Sequence, residues 1–222
     1  MNGVTHVFCV PVESYLAVLD ALYDVRDRIK IIVCRHEAAA SNMAEAYGKL
    51  TGKPGVCMVT RGPGATQGSV GVHTAFQDST PMILFIGQVA RDMLDREAFQ
   101  EIDYRQMFGP VAKWAAQIDV AHRAAEYVNR AFATAQNGRR GPVVLALPED
   151  MLTEEAEAEP LPPAPIAMAA PDERALERFR ELLGGAERPF LLVGGGGWTP
   201  QAVWDLRSFV EATGLPVGAS FR

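Results

Sequence analysis

The stretch IIVCRHEAAASNMAEAYGKLTG, residues 31–52, decides the fold because its pattern changes within three residues. It begins as a β-branched apolar run typical of a strand and continues as an alanine-rich segment with helical spacing. Three ionisable residues, Arg35, His36 and Glu37, separate the two patterns. A strand leading directly into a helix is the repeating unit of an α/β sheet. The helix dipole favours a carboxylate in a first turn, so Glu37 alone does not establish a functional site.

The same alternation of strand-like and helix-like patterns recurs along the first 150 residues. Apolar strand-like runs occur at residues 31–34, 55–60, 82–86 and 142–147, and helical patterns at 14–23, 38–50, 65–76 and 120–137. Strands that alternate with helices predict a parallel sheet with helices on both faces. We therefore expect an α/β fold for this part of the chain.

Two of the predicted helices carry unusually small side chains. Gly68, Gly71 and Ala75 leave one side of the 65–76 helix nearly bare, and alanines dominate the 38–50 helix. Glycine lowers helix stability, so close packing is expected to compensate for it. Two interpretations remain open at this point: an internal pair of helices or a symmetric contact between subunits.

Composition predicts three regions. Residues 1–150 form the first domain, and residues 151–171 read as an acidic, proline-rich linker. Residues 172–222 begin a second α/β domain, with helical patterns around a strand-like run at 189–193. This second region has too few strands to close a sheet, so we expect the chain to be part of a longer protein.

Charge and hydropathy narrow the classes of function. Hydrophobic residues make up 48% of the chain and the formal net charge is −6, without a dense basic cluster. This composition is typical of a globular domain and argues against nucleic acid as a partner. No apolar run is long enough to cross a membrane and no secretory signal is apparent, so we expect a cytoplasmic protein. The cysteines, Cys9, Cys34 and Cys57, lie in strand-like runs and are expected to be reduced.

The loops at the carboxyl ends of the predicted strands are the natural place for a ligand. They are residues 11–13, 35–37, 61–67 and 87–100. The turn TRGPGATQ, residues 60–67, lacks the lysine of a phosphate-binding P-loop, and LLVGGGGWTP, residues 191–200, lacks the dinucleotide-binding glycine pattern. The four histidines show no metal-ligand spacing. The residues by themselves thus indicate an α/β domain with an unexplained glutamate at its ligand-binding edge.

Four linked segments carry a family resemblance. In chain order they are HVFCVPVESYLAVLDAL, RHEAAASNMAEAYGKLTGKPGVCMVTRGPGATQ, DSTPMILFIGQV and REAFQEID. Together they resemble the N-terminal pyrimidine-binding domain of thiamine-diphosphate-dependent enzymes, and in particular acetolactate synthase large subunits. The resemblance is strong over residues 1–150, and the remainder is similar to the start of the central domain of that family.

The resemblance implies a role for Glu37. The conserved glutamate of the family follows Arg-His at a strand end and bonds to N1′ of the cofactor pyrimidine. There it favours the imino tautomer, whose 4′-nitrogen can take the proton from C2 of the thiazolium ring. Burial raises the proton affinity of a carboxylate, which suits a group that shares a proton with a ring nitrogen.

Five further positions are implied by the resemblance. Pro63 is expected to pack on the aminopyrimidine, and Gln67 stands where the family has asparagine. Phe99 and Gln100 match a segment on the substrate side, where Gln100 joins Glu37 as a catalytic candidate. Val12 replaces a glycine of the family and leaves the substrate in doubt. Simpler interpretations stay open: Pro63 shapes a turn, Phe99 lies in the core, and Gln67 caps a helix.

The implied activity is the formation or cleavage of a carbon–carbon bond next to the carbonyl of a 2-oxo acid such as pyruvate. A decarboxylase, a benzaldehyde-lyase-like enzyme or a non-catalytic assembly module remain alternatives. The resemblance further implies Mg²⁺, held by a diphosphate-binding domain outside these residues or on another chain. It implies a homodimer or homotetramer and leaves FAD open, although no residue supports FAD. This chain by itself is expected to be inactive.

Overall fold

The computed structural model describes residues 1–221 and divides the chain into two compact units. The first unit is Met1–Ile166, and the second begins at Ala167. From residue 155 to residue 172 the chain forms neither helix nor strand and is mostly exposed to solvent. The linker predicted at 151–171 stays a prediction, although this extended stretch overlaps it.

The first unit is built on a parallel sheet, in which the described residues provide six strands. These are β1 (His6–Cys9), β2 (Lys30–Val33), β3 (Gly55–Val59), β4 (Met82–Gln88), β5 (Trp114–Gln117) and β6 (Pro142–Pro148). Their spatial order is β2-β1-β3-β4-β6-β5, and every neighbouring pair runs parallel. The α/β class expected from the sequence is confirmed.

Helices cover both faces of this sheet. They are α1 (Leu16–Asp24), α2 (Glu37–Thr51), α3 (Pro63–Gln77), α4 (Tyr104–Phe108) and α5 (Ala124–Gln136). The α2, α3 and α4 side chains pack on one face, and the α1 and α5 side chains pack on the other. Every residue of β3 and β6 is buried, as expected for central strands covered on both faces.

The small residues of α2 and α3 allow these two helices to pack closely against each other within the first unit. A Cβ on Gly71 would lie 2.5 Å from the carbonyl carbon of Ser41, so only glycine lets the two helices approach this closely. Gly48 lies near the other end of α2. A Cβ on this residue would lie 2.3 Å from the carbonyl oxygen of Pro81, so glycine is needed here as well. Of the two interpretations of these small surfaces, the internal helix pair is the one that the structure contains.

The second unit contains a two-stranded parallel sheet within its described residues. Its elements are α6 (Glu173–Gly184), β7 (Leu191–Val193), α7 (Pro200–Thr213) and β8 (Val217–Ala219). Several large apolar side chains of this unit are exposed, among them Trp204 and Phe221. A two-stranded sheet covers little apolar surface, which accounts for this exposure.

The sequence patterns found most of these elements, but β1 and β5 lie outside the four strand runs predicted for the first unit. The runs at 31–34, 55–60, 82–86 and 142–147 correspond to β2, β3, β4 and β6. The fifth strand, Trp114–Gln117, lies at the sheet edge and is mostly half-buried, so its short run lacks the apolar signal of a central strand. Within residues 1–221, no helix combines the length and apolar character needed to cross a membrane.

Candidate functional site

The loops that follow β1, β3 and β4 converge at the carboxyl edge of the sheet. Ser14, after β1, shares a buried hydrogen bond of 2.9 Å between its Oγ and Thr60 Oγ1, after β3. A Cβ on Gly87, near the end of β4, would lie 2.2 Å from the same Ser14 Oγ. Because these three strands are neighbours in the sheet, their loops form one continuous surface.

Glu37 lies on this surface as the first residue of α2. His36 precedes it and caps the helix, since its Nδ1 accepts a 3.1 Å hydrogen bond from the Ala38 N–H. The carboxylate points toward the first turn of α3: a Cβ on Gly64 would lie 3.6 Å from Glu37 Oε1. The same Cβ would lie 2.7 Å from Thr60 Cγ2, so a side chain at Gly64 would crowd this space. Glycine therefore lets this turn lie against both Thr60 and the carboxylate.

The buried side chain of Tyr15 links two of the strand ends that carry this surface. Its side chain is 1% exposed, and its hydroxyl donates to the Val10 carbonyl, with the Met58 carbonyl oxygen 3.4 Å away. Burial raises the pKa of the Tyr15 hydroxyl well above its usual value, and nearby Cys9, Cys57 and Glu37 add to that shift. The hydroxyl therefore stays protonated and ties the end of β1 to the end of β3.

The Gly62 backbone contacts the loop that carries Gln100. Gly62 has φ of 50°, and a Cβ there would lie 2.6 Å from Gln100 Cβ. The Gly62 N–H donates a 2.8 Å hydrogen bond to the buried Tyr104 hydroxyl. Burial raises the pKa of that hydroxyl to about 12, although the Gly62 hydrogen bond and the charge of Arg61 oppose the shift. The glycine turn and the Gln100 segment are thus held together.

Pro63 and Gln67 occupy the exposed side of α3. Pro63 is the first residue of the helix, a position that tolerates its missing N–H. Gln67 lies four residues further, on the same helix face, and both side chains are exposed. Gln67 is inside the helix, so the interpretation of this residue as a cap is wrong.

Phe99 and Val12 have contrasting environments. Phe99 is 76% exposed, so its interpretation as a core residue is wrong. Val12 is half-buried and packs against the core cluster that contains Tyr15. The substrate-side roles of both residues stay predictions.

Sequence reasoning missed Arg61 as a separate candidate, although it lies within the predicted 61–67 loop. Its side chain is nearly buried and reaches three other loops of the carboxyl edge. The Nε donates a 3.2 Å hydrogen bond to the Phe99 carbonyl. Ion pairs of 3.4 Å and 3.5 Å link the guanidinium to Glu13 and Glu149. A charged residue at a strand end, directly before a glycine turn, is the sequence signal that could have identified it.

Metal ligands are not assembled in the described part of the chain. Residues 1–221 contain no group of three or more His, Cys, Asp or Glu side chains arranged to hold a metal ion. The site that these residues do form consists of one carboxylate, a glycine-rich helix start, exposed Pro63 and an amide at Gln67. This donor set suits a planar nitrogen-containing ring, because the carboxylate can share a proton with a ring nitrogen.

The fold and the edge of the sheet define a ligand-binding α/β domain of the kind found in cofactor-dependent enzymes. Residues 1–107 match the family described as the thiamine pyrophosphate enzyme, N-terminal TPP binding domain. Thiamine pyrophosphate is another name for thiamine diphosphate. By this match, residues 1–107 are an N-terminal domain of the thiamine pyrophosphate enzyme family.

Similarity to characterised proteins extends over nearly the whole chain. It is 35% identical to the acetolactate synthase isozyme 3 large subunit of Escherichia coli over 99% of this chain and 39% of that protein. It is 36% identical to the acetolactate synthase large subunit of Corynebacterium glutamicum, covering 95% of this chain and 34% of that protein. A probable acetolactate synthase large subunit of Methanocaldococcus jannaschii is 36% identical, with coverage of 97% and 37%.

Nearly all of this chain is matched, but only part of each relative is. The chain spans only 34% to 40% of the length of these relatives and of the isozyme 2 large subunit of Escherichia coli. The similarity therefore covers less than half of each of these longer proteins.

Proposed function

We propose that this chain supplies the pyrimidine-binding half of a thiamine-diphosphate site in an acetolactate-synthase-like enzyme. The enzyme forms or cleaves a carbon–carbon bond next to the carbonyl of a 2-oxo acid. One observation carries the proposal: the Glu37 carboxylate faces Gly64 in the first turn of α3, the residue that follows Pro63. The family of residues 1–107 supports the identity of the ligand.

The residues around Glu37 fit the pyrimidine ring. Glu37 holds and shares a proton at the ring N1′, Pro63 offers an exposed apolar surface to the ring, and Gln67 offers an amide one helical turn further. Gly64 places no side chain beside the carboxylate and lets the turn lie close to Thr60, since a Cβ there would lie 2.7 Å from Thr60 Cγ2. When bound, thiamine diphosphate supplies an electron sink for bond making and breaking next to a carbonyl.

The chemical contribution of the chain is proton transfer by Glu37. The Glu37 carboxylate would hold the ring at its nitrogen and share a proton with it, which would favour the imino tautomer of the exocyclic nitrogen, the form that can accept a proton. General acid–base catalysis of this kind contributes roughly 100- to 10,000-fold to a rate. Glu37 can hold this position because His36 caps α2 and fixes the backbone at the helix start.

The substrate side of the proposed site lies toward Phe99 and Gln100. Gln100 would contact a 2-oxo acid such as pyruvate, with the exposed Phe99 beside it and Val12 at the rim. The names of the relatives support an acetolactate-synthase-like reaction. Val12, which replaces a family glycine, favours a second candidate, a decarboxylase or benzaldehyde-lyase-like enzyme. Turnover of pyruvate, 2-oxobutyrate and bulkier 2-oxo acids separates the two.

The remaining half of the site is proposed to come from elsewhere. Mg²⁺ and the cofactor diphosphate would be bound by a diphosphate-binding domain, outside these residues or on another chain. A homodimer or homotetramer would bring the two halves together, and the proposed location is the cytoplasm. This chain alone should then bind thiamine diphosphate weakly and turn over no 2-oxo acid.

Glu37→Gln tests the proposal directly. In the enzyme assembled with its diphosphate-binding half, we expect exchange of the cofactor C2 proton to fall at least 100-fold, with the fold retained. The amide is isosteric but cannot share the proton. NMR measures the exchange, and circular dichroism checks the fold. Exchange at the wild-type rate would refute the role of Glu37.

Isothermal titration tests the division of the site into two halves. Thiamine diphosphate is titrated into this chain with and without Mg²⁺, and again after addition of a diphosphate-binding partner. We expect binding to appear only with the partner and Mg²⁺. Tight, Mg²⁺-dependent binding to this chain alone would place the diphosphate site within residues 1–222.

A further inference from the structure

Arg61 joins more of the carboxyl edge than any side chain that the sequence singled out. It follows β3, and it contacts Glu13 after β1, Phe99 after β4 and Glu149 after β6. The residue is only 9% exposed. A guanidinium is rigid and planar, so several contacts made at once fix both its position and that of its partners.

The surroundings of Arg61 argue against a role as an anion site. The carboxylates of Glu13 and Glu149 lie 3.4 Å and 3.5 Å from its terminal nitrogens. Both carboxylates pair with the guanidinium, so its positive charge is already compensated within the chain. The Arg61 Nη1 is buried and has the Glu149 carboxylate at 3.5 Å as its ion-pair partner, although the contact does not reach hydrogen-bond geometry. The carboxylates of both ion pairs are exposed, and such pairs add little stability, so Arg61 is better explained by the loops that it joins.

The segment held by Arg61 is strained. Asp95, Glu97 and Gln100 have φ values of 62°, 53° and 64°, in the left-handed region that non-glycine residues rarely adopt. The Glu101 carboxylate accepts hydrogen bonds from the Asp95 and Ala98 N–H groups, at 2.7 Å and 3.0 Å. Backbone in this region persists only where surrounding contacts determine it.

Two contacts connect the strained segment to the glycine turn. The Arg61 Nε binds the Phe99 carbonyl at 3.2 Å, and the Gly62 backbone packs directly on Gln100. Arg61 and Gly62 are consecutive, so a shift of the arginine would move both contacts together. The 95–101 segment is therefore coupled to the turn that begins α3.

We propose that Arg61 is a positioning residue, which fixes Phe99 and Gln100 against Gly62 and so sets the substrate side of the site. The effect on substrate binding rests on the proposed function. The positioning itself is a property of the chain and can be measured without cofactor. The Nε–carbonyl hydrogen bond is the contact on which it depends.

Hydrogen exchange of this chain tests the positioning. In Arg61→Met and Arg61→Lys we expect the amides of Asp95, Ala98 and Glu101 to exchange at least tenfold faster than in the wild type. Lysine keeps the charge but lacks the planar fork, so it should not rescue the segment. Amides of β3 and β4 should keep their protection. Arg139→Met is the control, because the Arg139 guanidinium donates its hydrogen bonds to Ser79 and Phe76 rather than to the 95–101 segment.

Each result is decisive. Unchanged exchange in Arg61→Met, or full rescue by lysine, would overturn the proposal, since charge alone would then suffice. Loss of protection throughout β3 and β4 would also overturn it, because Arg61 would then serve the fold in general. Glu149→Gln removes an ion pair and keeps the Nε hydrogen bond, so it should leave the segment protected.

Kinetics of the assembled enzyme test the consequence. We expect Arg61→Met to raise KM for the 2-oxo acid at least tenfold while kcat stays within about threefold, because Arg61 acts through Gln100. Glu37→Gln should instead lower kcat. A fall in kcat with unchanged KM in Arg61→Met would overturn the assignment to the substrate side. Absence of wild-type turnover would refute the proposed function but leave the exchange result standing.

Discussion

The contact between α2 and α3 and the carboxyl edge of the sheet both depend on glycine, for different reasons. At the helix contact, Gly71 leaves space that Ser41 fills, and the result is a closely packed interior. At the edge, Gly64 lies between Thr60 and the Glu37 carboxylate, beside the proposed ligand site. Glycine in a sequence therefore signals a close approach of backbone, but it does not tell whether protein or ligand makes that approach.

The two regions also differ in their exposure and strain. Gly71 and its neighbours Val72 and Ala75 are buried. At the edge, Phe99 is exposed and Gln100 has a positive φ. Packing determines the first region, whereas a few polar contacts determine the second. Substitutions in the first should therefore affect stability, and those in the second should affect binding.

The largest expected effect is at the helix contact. Gly71→Leu should abolish the folded state, and Gly71→Ala should lower the free energy of unfolding by about 3 kcal/mol, because the Ser41 backbone would have to move. Gly68→Ala is the matched control on the same helix. Its Cβ would lie 3.4 Å from Val59 Cγ1, so it should be neutral or stabilising by up to about 1 kcal/mol.

Urea denaturation measures both variants, and sedimentation measures their association. If Gly71→Ala kept wild-type stability but changed the oligomeric state, the small surface would serve a subunit contact after all. The internal helix pair would then be an incomplete account of α2 and α3.

A smaller loss of folding stability is expected at high pH, from ionisation of Tyr104 at the carboxyl edge. Burial raises the pKa of Tyr104 to about 12, so the unfolded chain releases this proton at lower pH than the folded chain. The contribution of Tyr104 to stability is complete below pH of about 10 and is lost as pH rises toward 12, at most about 2 to 3 kcal/mol.

The matched variant is Tyr104→Phe. It removes the acceptor of the Gly62 N–H and should be less stable at pH 7 by about 1 to 3 kcal/mol. Between pH 10 and 12 its stability should fall less than that of the wild type, as measured by urea denaturation at each pH. An equal fall in both proteins would show that Tyr104 ionises normally.

Gly64→Ala should lower stability by about 1 to 2 kcal/mol, because its Cβ would meet Thr60 Cγ2 at 2.7 Å. Its main effect should be on the ligand: cofactor binding in the assembled enzyme should weaken at least tenfold by titration. Gly109→Ala is the control, since no atom lies within 4 Å of its Cβ position. If Gly64→Ala bound cofactor normally, the lack of a side chain at Gly64, beside Glu37, would have no role in binding.

The smallest effect separates the two buried cysteines of the sheet from the half-buried cysteine that follows β2. Burial raises the pKa of the Cys9 thiol to about 11 and that of Cys57 well above its usual value. Cys34 is half-buried, just before the turn that carries Glu37. In native protein at pH 8 we expect iodoacetamide to label Cys34 first, as read by peptide mass spectrometry. Labelling of Cys57 at the same rate would mean that the sheet opens locally.

Much of the fold follows from patterns that are local in sequence. Apolar runs predicted four strands, and the periodic segments between them predicted helices. The site was placed at the carboxyl edge because parallel strands with helical crossovers put their following loops on one side. The roles of Glu37, Pro63, Gln67, Phe99 and Gln100 came from the family resemblance.

The sequence by itself determined the α/β class, the family and the loops at which a ligand is expected, because periodicity and linked motifs are properties of neighbouring residues. Only the tertiary structure decided that Gly71 packs against Ser41, that Gly64 faces Glu37, and that Arg61 reaches Phe99 across 38 residues. These contacts depend on which strands become neighbours and how closely their loops approach. Strand order is set by the burial of the whole sheet, and no local pattern specifies it.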